Sequence, residues 1–109
     1  MRGHLYTEDE VILCTYAAMY SENDFGGINK IKLLQHRSIS SIKMKIKNIA
    51  SMLDENGIKR FTYDSISPLT GLPTGRTGRR TNWEIVSKIC KLEKNVFLQK
   101  CEEILKKYG

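Results

Sequence analysis

The chain is poor in the residues that most chemistry needs. Its 109 residues include only two histidines, three cysteines and one tryptophan. No CxxC, HxxxH, HExxH or GxSxG spacing occurs, nor a glycine-rich phosphate loop ending in Gly-Lys-Ser/Thr. A metal nuclease needs clustered carboxylates or histidines to hold its ion. The acids here stand at helix starts or scattered along polar faces, so catalysis is not expected and neither a cofactor nor a metal is implied. Cys14, Cys90 and Cys101 are widely spaced and odd in number, which argues against a disulfide framework or a zinc site. Each lies among apolar neighbours, as a small core residue in a reducing compartment does. The longest uncharged apolar run, residues 11–20, is about half a membrane span. Residues 1–9 hold no apolar segment of a secretory type. The expectation is a cytoplasmic protein with no membrane partner.

Acids are also missing from the middle of the chain. Residues 25–53 carry Lys30, Lys32, Arg37, Lys43, Lys45 and Lys47 and no acid. Residues 8–24 are the reverse, with five acids and no base. Residues 59–80 add Lys59, Arg60, Arg76, Arg79 and Arg80 against the single Asp64. The formal net charge is +6 and the pI about 9.3. Bases segregated in this way, if they share a face, make the electrostatic footprint of a polyanion binder.

Length and composition fit one folded domain covering 1–109. Thr7 caps a first helix over 8–20, and Glu10 at its third position closes a capping box. Glu8, Asp9 and Glu10 complement the helix dipole, which accounts for the acidic cluster without a catalytic role. Tyr6 and Val11 are set to form a hydrophobic staple. Nearly all of 11–20 is apolar, so this helix belongs in the centre of the core. Gly26 and Gly27 punctuate the chain before a short helix over 28–35, with Ile28, Ile31 and Leu33 or Leu34 inward. A tight connection leads to a third helix over 41–53, capped by Ser40 or Ser38. Ile42, Ile46, Ile49 and Leu53 form its apolar stripe, and Ser40, Lys43, Met44, Lys47, Asn48 and Ser51 its outer face. Gly57 is placed to end it in the left-handed conformation.

Residues 58–63 look strand-like and suggest an edge of a short β-hairpin within 58–75. Pro68, Gly71, Pro73, Gly75 and Gly78 mark 65–80 as a long loop, of the sort that usually carries function. Thr81 and Glu84 form a second capping box opening a fourth helix, whose stripe is Trp83, Val86, Ile89 and Cys90. A fifth helix over 94–108 is expected to bury Phe97, Cys101, Ile104, Leu105 and Tyr108. The fold is thus mainly α: a trihelical unit over 6–53, a basic loop over 54–80 and two C-terminal helices over 81–108.

Two short helices joined by a few residues, the second with a basic, hydroxyl-rich face, form a helix-turn-helix pattern. Ser40, with the free N–H groups of a helix start, suits a phosphate. Lys43 and Lys47, one turn apart, can reach phosphates or guanine edges, Asn48 an adenine edge and Met44 a thymine methyl. His36 and Arg37 precede this helix. The loop tip at 75–80 brings Arg76, Arg79 and Arg80 on glycine hinges, in the manner of an arm that enters a minor groove or holds a backbone.

These residues carry a resemblance. Tyr6, Thr7, Glu8, Asp9 and Glu10 before an apolar helix resemble the opening of Myb/SANT-type trihelical domains. The run HRSISSIKMKIKNIA, residues 36–50, is similar to the segment where that class places its recognition helix. More narrowly, residues 6–53 resemble the small domain ahead of the catalytic part in some bacterial HNH-type endonuclease proteins. The resemblance implies Ser40, Ser41, Lys43, Lys47 and Asn48 as DNA-facing positions. No HNH motif follows, so it implies the reader without the cutter.

The function expected is non-catalytic binding of double-stranded DNA, as a transcriptional regulator or an accessory of a restriction or mobile-element system, with helix 5 available as a homodimer surface. An alternative is a phage- or plasmid-encoded inhibitor of the anti-CRISPR type, its lysines meeting a nuclease or CRISPR effector protein. A third is a subunit of a nuclease whose catalytic part lies on another chain.

Overall fold

The computed structural model describes residues 6–59, 61 and 83–108. Five α-helices and one 3-10 turn make up the described architecture, with no strand among the described residues. The helices are α1 (Glu8–Met19), α2 (Ile28–Gln35), α3 (Ile39–Glu55), α4 (Trp83–Ile89) and α5 (Lys94–Tyr108), and the 3-10 turn is Glu22–Phe25.

α1 begins where its caps dictate. The Glu10 N–H donates to Thr7 Oγ1, and the Thr7 N–H donates to Glu10 Oε1 at 2.9 Å. Every residue from Glu10 to Met19 is buried, because α1 packs against all four other helices and the 3-10 turn. Its polar side chains are satisfied internally: Thr15 donates to the Val11 carbonyl at 2.7 Å, and Tyr16 donates to Asp24 Oδ2 at 2.6 Å. A helix enclosed on all sides needs such bonds, since an unpaired buried hydroxyl costs about 1–3 kcal/mol.

α2 coincides with the expected span. Ile31 and Leu34 are buried, and Leu33 is the exposed member of the Leu33/Leu34 pair. α3 is capped by Ser38, whose hydroxyl accepts from the Ser41 N–H. It runs to Glu55 and stops in a glycine-dependent turn. Gly57 takes φ 70°, its N–H bonds Asp54 O, and the Ile58 N–H bonds Leu53 O at 2.9 Å. This paired pattern closes the last carbonyls of the helix and needs a residue free of a Cβ penalty.

Three expectations are corrected. Residues 58, 59 and 61 of the expected strand are not in a strand; Phe61 instead makes one backbone bond, its N–H to Met19 O at 2.7 Å. The remainder of the 58–75 hairpin, the Thr81 cap and its box with Glu84 lie outside the described residues. Tyr108 is exposed rather than buried: its hydroxyl donates to Asp9 Oδ2 at 3.0 Å beside Lys107, which bonds the same oxygen at 3.0 Å. The C-terminus of α5 is thereby clipped to the first turn of α1, with opposite dipole ends met by opposite charges. Ser51 is 4% exposed, although the wheel sets it on the outer face of α3. The five consecutive residues 49–53 are all buried, so α3 passes from surface helix to enclosed helix along its length.

Cys14 and Cys101 are buried and Cys90 half-buried, all as free thiols. Burial pushes the Cys14 and Cys101 thiols up to about 12. A folded-state value above the ordinary 9.0 means that their neutral form stabilises the fold fully below pH about 9, and that this contribution is lost as pH rises toward 12. The expected result is a melting temperature that falls across that window, and falls less in Cys14→Ala. Iodoacetamide should leave Cys14 and Cys101 untouched in the native protein and modify both in urea, as mass spectrometry of the peptides would read. Rapid native alkylation of Cys14 is the contrary result.

Candidate nucleic-acid interface

The α2–α3 connection is three residues long. His36 caps α2 in the left-handed conformation (φ 53°, ψ 39°), its N–H bonded to Lys32 O at 2.7 Å. Histidine is among the few side-chain-bearing residues enriched there. Arg37 follows, and then the Ser38 cap of α3.

The direction of α3 is set by a clamp at its start. Glu10 is 0% exposed, and Arg37 grips its carboxylate with both Nε and Nη2, the latter at 3.0 Å from Oε1. The Arg37 guanidinium also lies over the Tyr6 ring, 3.9 Å from its centroid. The Tyr6 hydroxyl is hydrogen-bonded to Ser41 Oγ at 2.9 Å. The hydrogen bonds from Arg37 to the Glu10 carboxylate raise the guanidinium further above its ordinary range. Burial raises the Tyr6 phenol, and the same cause lowers the Lys45 ammonium, which sits 5.3 Å from the Tyr6 ring centroid.

Beyond the clamp, α3 has two opposed faces. Ile42, Ile46, Ile49 and Leu53 are buried on one. Ser40, Lys43, Met44 and Lys47 are exposed on the other, at the i, i+3, i+4, i+7 spacing that aligns side chains along one helix face. Met44 is 56% exposed, a large apolar group between two ammonium groups. No acid occurs on α3 before Asp54. The stripe from Ser40 to Lys47 spans about 10 Å at the helical rise, and the buried Ser51 closes it.

The sequence-derived site residues therefore divide. Ser40, Lys43, Met44 and Lys47 are brought together and face outward. Ser41 stands beside them but is bonded to Tyr6. Arg37, expected with them, has 12% side-chain exposure and is held by Glu10, so its place is structural. Asn48 is half-buried, and its Oδ1 is buried with no hydrogen-bond partner among the described residues. A bidentate adenine contact needs both amide atoms outward, which this placement does not offer. Arg76, Arg79 and Arg80 lie outside the described residues.

What the sequence reading missed is the clamp itself. Glu10 was legible as a capping acid and Arg37 as a base, but no local signal joins residues 27 apart. Among the described residues, no group of three or more His, Cys, Asp or Glu is placed to hold a metal ion, and no helix is long and apolar enough to cross a membrane. No family model, no curated protein and no solved structure matches the chain.

Proposed function

We propose that this protein binds double-stranded DNA without cutting it, through the outward stripe of α3. The observation that carries the reading is the exposed, acid-free row Ser40, Lys43, Met44 and Lys47 on a helix whose start is locked by the Glu10–Arg37 clamp. Two ammonium groups one turn apart suit phosphates or guanine edges, and the thioether between them suits a thymine methyl. Preorganisation matters here, because a recognition helix that must first be ordered loses affinity to that cost. The α2–turn–α3 unit then acts as a helix-turn-helix of the Myb/SANT-like kind, as a regulator or as the reading part of a restriction or mobile-element system, working in the cytoplasm.

The size of the stripe sets a requirement. About 10 Å of helix covers roughly three base-pair steps of 3.4 Å, too few to specify a site alone. Specificity on this reading comes from the arginine-bearing arm at 76–80 in a neighbouring groove, or from a second copy on an adjacent half-site.

The test is a salt titration of binding to a random-sequence duplex. Lys43→Ala with Lys47→Ala is expected to reduce the slope of log K against log salt by about 2 and to weaken binding tenfold or more at low salt. Its melting temperature should match that of the parent, since both side chains are exposed and such substitutions stay within about 0.5 kcal/mol. Arg79→Ala, assayed separately, should also weaken binding. Unchanged affinity in the Lys43/Lys47 variant ends the assignment, and capture of a nuclease by a parent protein that ignores DNA would favour the inhibitor reading instead.

A further inference from the structure

The most exposed of the large hydrophobic side chains among the described residues is an aromatic ring packed on the core. Phe61 is 61% exposed. Its backbone N–H is bonded to Met19 O at 2.7 Å. Its ring is stacked on Tyr20, with centroids 5.5 Å apart and planes 12° from parallel. Tyr20 in turn packs against Tyr16 at 5.0 Å and edge-on to Phe97 at 6.3 Å. The outermost ring of this ladder is therefore held by the core while most of it faces solvent.

Cations flank the ladder. Lys59 Nζ lies 5.3 Å from the Phe61 centroid and Lys94 Nζ 5.4 Å from that of Tyr20. The neighbouring acid, Asp24, accepts the Tyr16 hydroxyl and lies 3.7 Å from Lys94. Fixing a ring in advance removes the entropy that a ligand would otherwise have to overcome. A flat π face bordered by long flexible ammonium groups matches a flat base attached to a phosphate. An aliphatic protein surface would cover the ring but give the flanking ammonium groups no counter-charge.

We infer that Phe61 is a stacking platform for an unpaired nucleotide of a DNA strand, with Lys59 and Lys94 on the adjoining phosphates. The inference deepens the DNA-binding reading by naming the form of DNA preferred: a duplex that ends in, or opens into, a single strand. When a base lies on Phe61, the Lys59 ammonium exchanges the ring for a phosphate, which its four-carbon stem allows.

The test compares a blunt duplex with the same duplex carrying a five-nucleotide 3′ or 5′ tail that contains 2-aminopurine, using the full chain. The tailed probe should bind about tenfold more tightly, as one or two stacked bases provide, and the tail fluorescence should be quenched. Phe61→Ala and Phe61→Leu should bring the tailed probe to blunt affinity and leave blunt binding within twofold, whereas Phe61→Trp should keep the preference. Leucine preserves the apolar surface and removes only the π face, so it separates stacking from plain hydrophobic contact. Equal affinity of the parent for both probes, or a tail preference that survives in both variants, overturns the inference. A free single-stranded 12-mer separates this idea from the duplex reading. If it binds in a Phe61-dependent way while blunt duplex does not bind, the platform stands and the α3 reading falls; if neither binds, both fall.

Discussion

Arg37→Ala is expected to lower the unfolding free energy by about 3–5 kcal/mol, the usual cost of stranding one partner of a buried ion pair. Glu10 has no solvent exposure and takes two guanidinium nitrogens of Arg37 together with the Thr7 N–H. Without Arg37 its carboxyl group remains inside with the Thr7 N–H and hydroxyl as its donors. For a domain whose total stability is about 5–15 kcal/mol, that is about a fifth or more of the whole. Arg37→Lys should fall between parent and alanine, because one ammonium cannot span both carboxylate oxygens as a guanidinium fork does. Urea denaturation followed by helical circular dichroism reads the effect, and a loss under about 1 kcal/mol in Arg37→Ala contradicts the clamp.

A paired substitution separates the structural role of Arg37 from a DNA-contacting one. Glu10→Gln keeps a residue able to close the capping box, and Arg37→Met fills a similar volume without charge. Together they should recover most of the stability, since a neutral pair carries no desolvation penalty. If Arg37 serves only to set α3, duplex affinity recovers with the fold. If it also touches a phosphate, stability recovers and affinity does not.

Phe97→Ala is the second large effect, about 3–5 kcal/mol. Phe97 is fully buried and meets Tyr16 edge-on, with centroids 5.1 Å apart and planes at 88°. The same ring holds Tyr20 at 83°. Its removal leaves a cavity where α5 meets α1 and takes away two aromatic pairs worth about 0.5–1.5 kcal/mol each beyond their area. Thermal melting should show a fall of roughly 10 °C or more. Because Phe97 supports Tyr20 and Tyr20 supports Phe61, Phe97→Ala should also weaken the tailed-DNA preference at temperatures where the variant is folded. Retention of parental stability would mean that α5 is not anchored through this ring.

Much of the helical frame was legible because its signals are local. Thr7 and Glu10 lie three residues apart, and each supplies what the other's backbone lacks. The isoleucine period of 42, 46 and 49 needs only the helical repeat to be read. Ser38 or Ser40 as the α3 cap was a harder choice, since both serines precede the stripe; Ser38 is the cap because its hydroxyl meets the Ser41 N–H. The outward row of Ser40, Lys43, Met44 and Lys47 followed from the same period.

The misplacements share one cause. The period assigns Ser51 and Asn48 to the outer face, yet a wheel describes one helix and says nothing of what covers its other sides. Tyr108 sits at the register of a core residue, but it lies in the last turn of α5, where its hydroxyl reaches Asp9 instead. Arg37 and Glu10 are 27 residues apart, Tyr6 and Ser41 35 apart, and Phe61 finds Tyr20 across the length of α2 and α3.

By itself the amino-acid order determined where α1 and α2 lie and α3 to within two residues at each end, the apolar stripe of α3, and that bases and acids occupy separate stretches. These depend on neighbours within one or two turns, where backbone hydrogen bonding and side-chain spacing act directly. Only the tertiary structure decided which bases remain available to a partner and which are spent on the fold, and which aromatic rings are left facing water. Those outcomes depend on burial, and burial is a property of segments that meet in space after long loops of chain have closed.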